Sequence, residues 1–148
     1  MLVWLDLETL GLDPEKHTII EIGIIVTDNM LREVGVFHSY VRPSLHEMNQ
    51  IDPWCFNQHT KSGLLARVEA DGESIDKVER GVIAFLGKHL PIEKKESFLA
   101  GNSIFFDRSF LVEHMPSVLE LMHYRLLDVS PLKVIANLWF PLDRPSAT

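Results

Sequence analysis

Cysteine is nearly missing from this chain. Cys55 stands alone, so no internal disulfide is available and a reducing compartment is expected. Basic residues are also scarce: 14 Lys and Arg face 21 Asp and Glu, a net charge of -7. That deficit argues against a broad surface for long duplex nucleic acid, which is held largely through phosphate contacts. It leaves room for a small phosphate-bearing ligand held through metal ions. No apolar run is long enough to span a bilayer. The chain opens directly into a strand pattern with no charged, cleavable leader, so a cytoplasmic location without membrane contact is expected. No repeat or low-complexity linker interrupts it. What is present, 46% hydrophobic residues over 148 positions, suits a single domain with a real core.

The apolar pattern predicts the order of elements. "MLVWLDLETL" reads as a strand, followed by a turn at "GLDP". "IIEIGIIVTD" is a second strand, and Asp28-Asn29 offers a hairpin turn into "REVGVFHSYVRP". These three strands form an antiparallel meander. An irregular polar stretch containing Pro43, Pro53 and several histidines comes next. In "SIDKVERGVIAFLGKHLP", Ile75, Val78, Val82, Ile83 and Leu86 fall on one helical face, with Ser74 as cap and Pro91 as stop. "SFLAGNS" is a short buried strand, "DRSFLVEHMP" starts a helix, and "PSVLELMHY" is a short helix with Pro at its first position. "RLLDVS" is a further strand, and "SPLKVIANLWFP" a helix ended by Pro141. A meander followed by alternating helices and strands implies a mixed-sheet α/β domain.

Within this frame, Asp6 and Glu8 interrupt an apolar strand one residue apart. Strand side chains alternate, so both carboxylates share a face. Like charges that lose hydration together repel, unless a cation lies between them. The bland alternative is a polar face on an edge strand. A third carboxylate, Asp107, follows a short apolar strand in "AGNSIFFDRSFL". It suits either a helix N-cap or a site for a hard, oxygen-seeking cation.

"WLDLETLGLDP", "IIEI", "GNSIFFDRSFL" and "HYRLLDVSPLK" occur in the same order and at similar intervals as in the oligoribonucleases, and the chain resembles that family almost from end to end. These are DEDDh-type 3′-5′ exoribonucleases of the ribonuclease H-like superfamily. The resemblance implies one exonuclease domain over residues 1–148, with a ribonuclease H-like mixed sheet flanked by helices. It implies cleavage of very short single-stranded RNA to nucleoside 5′-monophosphates with two Mg²⁺ or Mn²⁺ ions. Asp6, Glu8 and Asp107 match the family's metal-binding carboxylates. Leu12 matches its apolar wedge against bases, and Trp54 and His59 match an aromatic and a histidine beside the nucleotide. Ser103, Tyr124, Arg125 and Ser130 match the contacts to the substrate's 5′-terminal phosphate. Part of that cap comes from a neighbouring subunit in the family, so a homodimer is implied. Without the resemblance, Leu12 reads as a turn-flanking core residue, Trp54 reads equally as a core residue, and the bland reading of Arg125 is half of a surface ion pair.

One motif of the family is missing. H-x-A-x-x-D, which supplies the general-base histidine and a fourth carboxylate on a final helix, is expected after "LKVIANLWFP", but the sequence reads "LDRPSAT" there. The domain is therefore expected to be incomplete at its C-terminal helix and impaired in turnover. His123 and Asp128 have the right separation, but they lie in the cap segment and cross a helix-to-strand transition. His17, His38, His46, His59, His89 and His114 show no comparable context. Two other functions are compatible with these residues: a non-catalytic binder of short RNA or nucleotides, and a proofreading-type DNA exonuclease. The phosphate cap argues against the second, since it has no use on long DNA.

Overall fold

The computed structural model describes residues 1–140. The opening meander is formed by β1 (Leu2–Thr9), β2 (Ile19–Thr27) and β3 (Glu33–Tyr40), paired antiparallel. Two later strands, β4 (Phe98–Gly101) and β5 (Leu126–Asp128), extend the sheet in parallel on the far side of β1. The order is β3-β2-β1-β4-β5, a mixed sheet of the expected α/β class.

Alternation along the strands gives the sheet two different faces. Val3, Leu5 and Leu7 of β1 and Ile22, Ile24 and Val26 of β2 are buried on one face. Against them pack α4 (Ile75–His89), through Val78, Val82 and Leu86, and α5 (Ile104–His114), through Phe110 and Leu111. The short α6 (Pro116–Leu119) adds Val118 to this core. Trp4, Asp6 and Glu8 point to the opposite face, in register with Ile25, Gly23 and Glu21. That face is open, with Ile25 and Val36 exposed.

The stretch after β3 is not irregular. It holds α1 (Leu45–Met48), α2 (Pro53–Lys61) and α3 (Leu64–Asp71). Caps explain these helices where apolar period does not. Ser44 and Glu47 form a reciprocal capping box, and Asp52 accepts the amides of Trp54 and Cys55 with Pro53 at the first helical position. Gly63, at φ 79°, turns α2 into α3 in a conformation that glycine adopts without strain. Leu64 and Val68 then close a small second core over Leu10 and Ile20.

Two boundaries also differ. The β2–β3 connection spans residues 28–32 rather than a two-residue turn, because the Asp28 carboxylate accepts the Met30 and Arg32 amides and Leu31 takes φ 65°. The helix expected to start at Asp107 starts at Ile104, so Asp107 is not its N-cap. The final helix, α7 (Ser130–Trp139), has no buried residue; its expected stop at Pro141 lies outside the described residues. Among the described residues no helix is long and apolar enough to cross a membrane.

Phe110 is fully buried at the centre of the main core, so Phe110→Ala is expected to cost about 3–5 kcal/mol in urea unfolding. Asp52→Ala, which removes only a cap, is expected to cost about 1 kcal/mol. Equal losses for the two variants would contradict this division of the core from its satellite helices.

Candidate active site

The site begins where two strands part. β4 pairs with β1 only from Leu2 to Trp4, so the next stretch of β1 has no strand on that side. The chain leaves β1 towards β2 and leaves β4 towards α5 and β5, in opposite directions. Such a divergence at the carboxyl ends of parallel strands opens a crevice suited to ligands. Asp107 of α5 fills the vacated edge: its Oδ1 accepts the Leu7 amide at 3.0 Å. Leu7 lies between Asp6 and Glu8, so this one bond draws a carboxylate from 100 residues away to the backbone joining the other two.

The electrostatics of the three acids are mutual. Burial raises the Asp107 carboxyl from an ordinary 3.8 to about 6, with Asp6 and Glu8 adding to the rise and the Leu7 amide opposing it. Burial also pushes Asp6 upward. Glu8 is raised by burial first, then by Asp6, with His59 opposing and Glu21 reinforcing. Glu21 stands directly across from Glu8 in the β1–β2 register, an unfavourable like-charge pair, and its Oε2 is 3.6 Å from His38 Nε2. No Lys or Arg pairs with these acids among the described residues.

Three hard oxygen donors with excess negative potential fit a divalent cation in kind. The side chains do not close around one as they stand: among the described residues no three His, Cys, Asp or Glu are gathered so as to hold a metal ion. The donor set fits such an ion in kind, with Asp6, Glu8 and Asp107 as the residues that would hold it.

Two openings adjoin the acids. Gly23, opposite Asp6, has no side chain, and a trough of 620 Å³ runs past Trp4, Asp6, Ile25, Val36 and Asn102. A second pocket of 370 Å³ is lined by Glu8, Glu21, Trp54, Gln58, His59 and Arg67. Trp54 is 66% exposed and therefore not a core residue. His59 is buried, its Nε2 2.8 Å from the Thr9 carbonyl at the end of β1. Leu12 is 77% exposed, again not core, yet its loop is pinned. His114 of α5 reaches the carbonyls of Pro14 and His17 at 2.8 Å, and His17 Nδ1 accepts the Asp13 amide. The His17 ring packs so closely on Gly11 that a Cβ there would lie 2.4 Å from it, which requires glycine.

The four cap positions separate into two groups. Ser103 and Ser130 meet at the carboxylate end of the sheet through Asp128, whose Oδ1 accepts the Ser103 amide, the Ser130 amide and the Ser130 hydroxyl at 2.7–2.9 Å. Those bonds, the Ser130 hydroxyl foremost, hold Asp128 below the usual carboxylate range. Tyr124 and Arg125 precede β5 at the other end. Leu126 aligns with Leu99 and thence with Val3, so Tyr124 stands roughly 15–25 Å from Asp6 and Glu8 along the strands, at about 3.3 Å per residue. Arg125 makes no ion pair among the described residues; its guanidinium lies 5.7 Å from the Tyr124 ring. One chain therefore does not bring Tyr124 and Arg125 to its own carboxylates.

Sequence reasoning weighed Asp128 only as a partner of His123, and it missed the roles of His114 and Glu21. "DVSP" before a helix signals a turn-forming Asp, and Glu21 could have been found by pairing the two strands face to face. Nothing local marks His114, because its partners are about 100 residues away.

The five-stranded mixed sheet, with acids at the parting of β1 and β4, has a ribonuclease H-like fold. Exonuclease I with bound product superposes with a TM-score of 0.74 at 13% identity, covering 97% of this chain and 33% of that one. Exonuclease I of E. coli in complex with a dT13 oligonucleotide gives 0.72 at 16%, covering 97% and 31%. The family model described as exonuclease (RNase T) matches residues 3–142. Oligoribonucleases of Aliivibrio fischeri and Vibrio campbellii are 46% and 47% identical over 143 residues, 95% of this chain and 77% of each relative. The probable oligoribonuclease of Schizosaccharomyces pombe is 38% identical over 141 residues, and the chain spans 56% of its length. The chain belongs to the exonuclease (RNase T) family and, within it, to the oligoribonucleases.

The pKa directions give a stability prediction. An acid raised on folding favours the neutral form, so its contribution is complete below 3.8 and is lost as pH rises through about 6. Metal-free stability is therefore expected to fall between pH 4 and 7. Asp107→Asn, which keeps an acceptor for Leu7, should flatten that fall and stabilise the chain at pH 7. Asp107→Ala should lose about 1 kcal/mol from the missing hydrogen bond. Urea unfolding in EDTA across pH 4–8 measures all three, and a stability that rises from pH 4 to 7 would contradict the arrangement.

Proposed function

We propose that this domain is a divalent-metal-dependent 3′-to-5′ exoribonuclease that degrades very short oligoribonucleotides to nucleoside 5′-monophosphates. The observation that carries the reading is the Asp107–Leu7 bond, which ties the Asp107 carboxylate to the backbone between Asp6 and Glu8 at the open end of β1 in an oligoribonuclease. Asp6, Glu8 and Asp107 would hold the ions, Mg²⁺ or Mn²⁺. When bound, a pair of such ions supplies charge stabilisation to the attacking and leaving oxygens of an in-line displacement.

The remaining side chains bind and orient. Trp54 offers an exposed face for a terminal base, with about 1–3 kcal/mol at stake per stacked base. Leu12, on its pinned loop, wedges against the adjoining base. His59, fixed on the Thr9 carbonyl, shapes the pocket beside Glu8. Ser103 and Ser130, organised by Asp128, would contact the substrate's 5′-phosphate. Tyr124 and Arg125, at the opposite end of their own sheet, would complete the cap of a second copy, so the working form is a homodimer in the cytoplasm. A forked guanidinium suits a terminal phosphate better than an ammonium does. The wall it forms explains selection of short strands, since a longer strand would have to pass through it.

The 148-residue sequence contains no H-x-A-x-x-D, and a positioned base typically accounts for ~10²–10⁴-fold in rate. Turnover by this chain is therefore expected to be slow. A second reading, a binder of short RNA without turnover, is favoured by the open arrangement of the acids.

Release of mononucleotide from a 5′-phosphorylated RNA dinucleotide with Mn²⁺ tests the proposal, with this chain compared to a version extended by a segment carrying H-x-A-x-x-D. Both should cleave, the extended form faster. Asp6→Asn or Asp107→Asn in either should lower the rate roughly 100-fold or more, since each removes an ion ligand worth several kcal/mol. Binding without cleavage by both forms would establish the second reading instead.

A further inference from the structure

α5 turns one stripe to β1 and to the loop that follows it. Asp107, Phe110, Leu111 and His114 recur at the i, i+3, i+4, i+7 spacing of a single helical face. Phe110 and Leu111 are fully buried in the main core between the two polar ends. At one end Asp107 accepts the Leu7 amide of β1. At the other, two turns and about 10 Å along the axis, His114 Nε2 lies 2.8 Å from the carbonyls of both Pro14 and His17. Carbonyl oxygens only accept, so this nitrogen carries its hydrogen and donates to the pair. The helix that brings the third carboxylate to the acids therefore also holds the loop that carries Leu12.

That loop is anchored on both flanks of Leu12. The Leu10 amide donates to the Thr18 carbonyl at 3.0 Å and closes it, while the Leu10 carbonyl accepts the Asp52 amide at 2.8 Å. The Thr9 hydroxyl donates to the Gly11 carbonyl at 2.7 Å, and the Asp13 amide to His17 Nδ1 at 3.1 Å. The Lys16 and His17 amides donate to the Asp13 carbonyl. His17 is the hub: its ring covers Gly11, its Nδ1 holds Asp13 and its carbonyl receives His114. Leu12 itself remains exposed. An apolar side chain held out to water on an anchored backbone adds little to the fold. It is ordered in advance for a surface that arrives from outside, and ordering it on folding lowers the cost of ordering it on binding.

We infer that His114 and His17 are positioning residues for the substrate, a relay from α5 that fixes the reach of Leu12 relative to the three carboxylates. The inference rests on the proposed reading of Leu12 as a wedge against bases, and it names the residues that hold the wedge. Neither histidine touches the substrate in this role. Because Asp107 and His114 ride on one helix, a displacement of α5 carries the carboxylate and the loop together, and the gap between them is kept. That gap sets how far a base can lie from the phosphate to be cleaved. Released from His114, the loop has the same residues but no fixed height, and the substrate must order it on binding.

Amide hydrogen exchange on the free 148-residue chain, with calorimetric titration of Mn²⁺ and then of a 5′-phosphorylated RNA dinucleotide, tests the relay. His114→Phe keeps an aromatic ring beside Phe110, on which the histidine stacks at 6.1 Å, and removes only the donor. It should speed exchange of the Asp13 amide at least tenfold and weaken dinucleotide binding at least fivefold, with Mn²⁺ affinity unchanged within twofold. His17→Ala should do the same from the loop side, and it carries the test if His114→Phe does not fold. His114→Gln, which restores an N–H donor, should recover most of the lost affinity. Adding His114→Phe to Leu12→Ala should weaken binding less than twofold further, because the histidine acts through the leucine. Unchanged exchange in a folded His114→Phe, full additivity with Leu12→Ala, or an equal fall in Mn²⁺ affinity would overturn the inference. Those failures are confined to the variants; a native chain that neither binds nor cleaves the dinucleotide is the failure of the exonuclease reading itself.

Discussion

The Leu7 amide is the constraint on which the rest depends. A buried N–H must find an acceptor, and β1 outruns β4 just where that amide points. A neutral acceptor would satisfy the bond. The sequence supplies an aspartate, which brings a charge to the backbone between two other acids. The folded chain thus contains a local conflict, three carboxylates each driven towards protonation and no basic residue paired with them among the described residues. Natural folds tolerate such conflicts at functional positions and stabilise them through ligands or the surrounding core. Here the core is at hand: Asp107 sits one turn before the fully buried Phe110 and Leu111 on the same helix.

The sheet organises everything else by its two ends. At the carboxyl ends of β1 and β4 lie the acids, the pinned Leu12 loop, the Trp54 pocket and the Asp128-centred pair of serines. At the amino ends of β4 and β5 lie Tyr124 and Arg125.

Much of this was legible before folding. The meander, the α4 stripe with Ser74 and the chain order of elements follow from period and caps, because alternating burial and helical burial leave different traces in sequence. The three helices after β3 were not, since Ser44, Asp52 and Gly63 define them through backbone bonds while their apolar content is low. At the site, Asp6 and Glu8 declared themselves by interrupting an apolar strand, and the family motifs pointed to Asp107. Asp128 was weighed only as a partner of His123, because the serines it joins, one of them 25 residues away, leave no local trace.

Sequence by itself determined which acids, aromatics and cap residues the chain possesses, that two of the acids share a strand face, and the family to which it belongs. These are properties of composition, spacing and order, which need no third dimension. Tertiary structure decided which residues meet: that Asp107 joins the pair through an amide, that Leu12 and Trp54 are surface rather than core, and that Tyr124 and Arg125 stand away from their own carboxylates. The physical reason is that burial and hydrogen-bond partnership are set by strand register and helix placement. Those depend on contacts between segments as much as 100 residues apart.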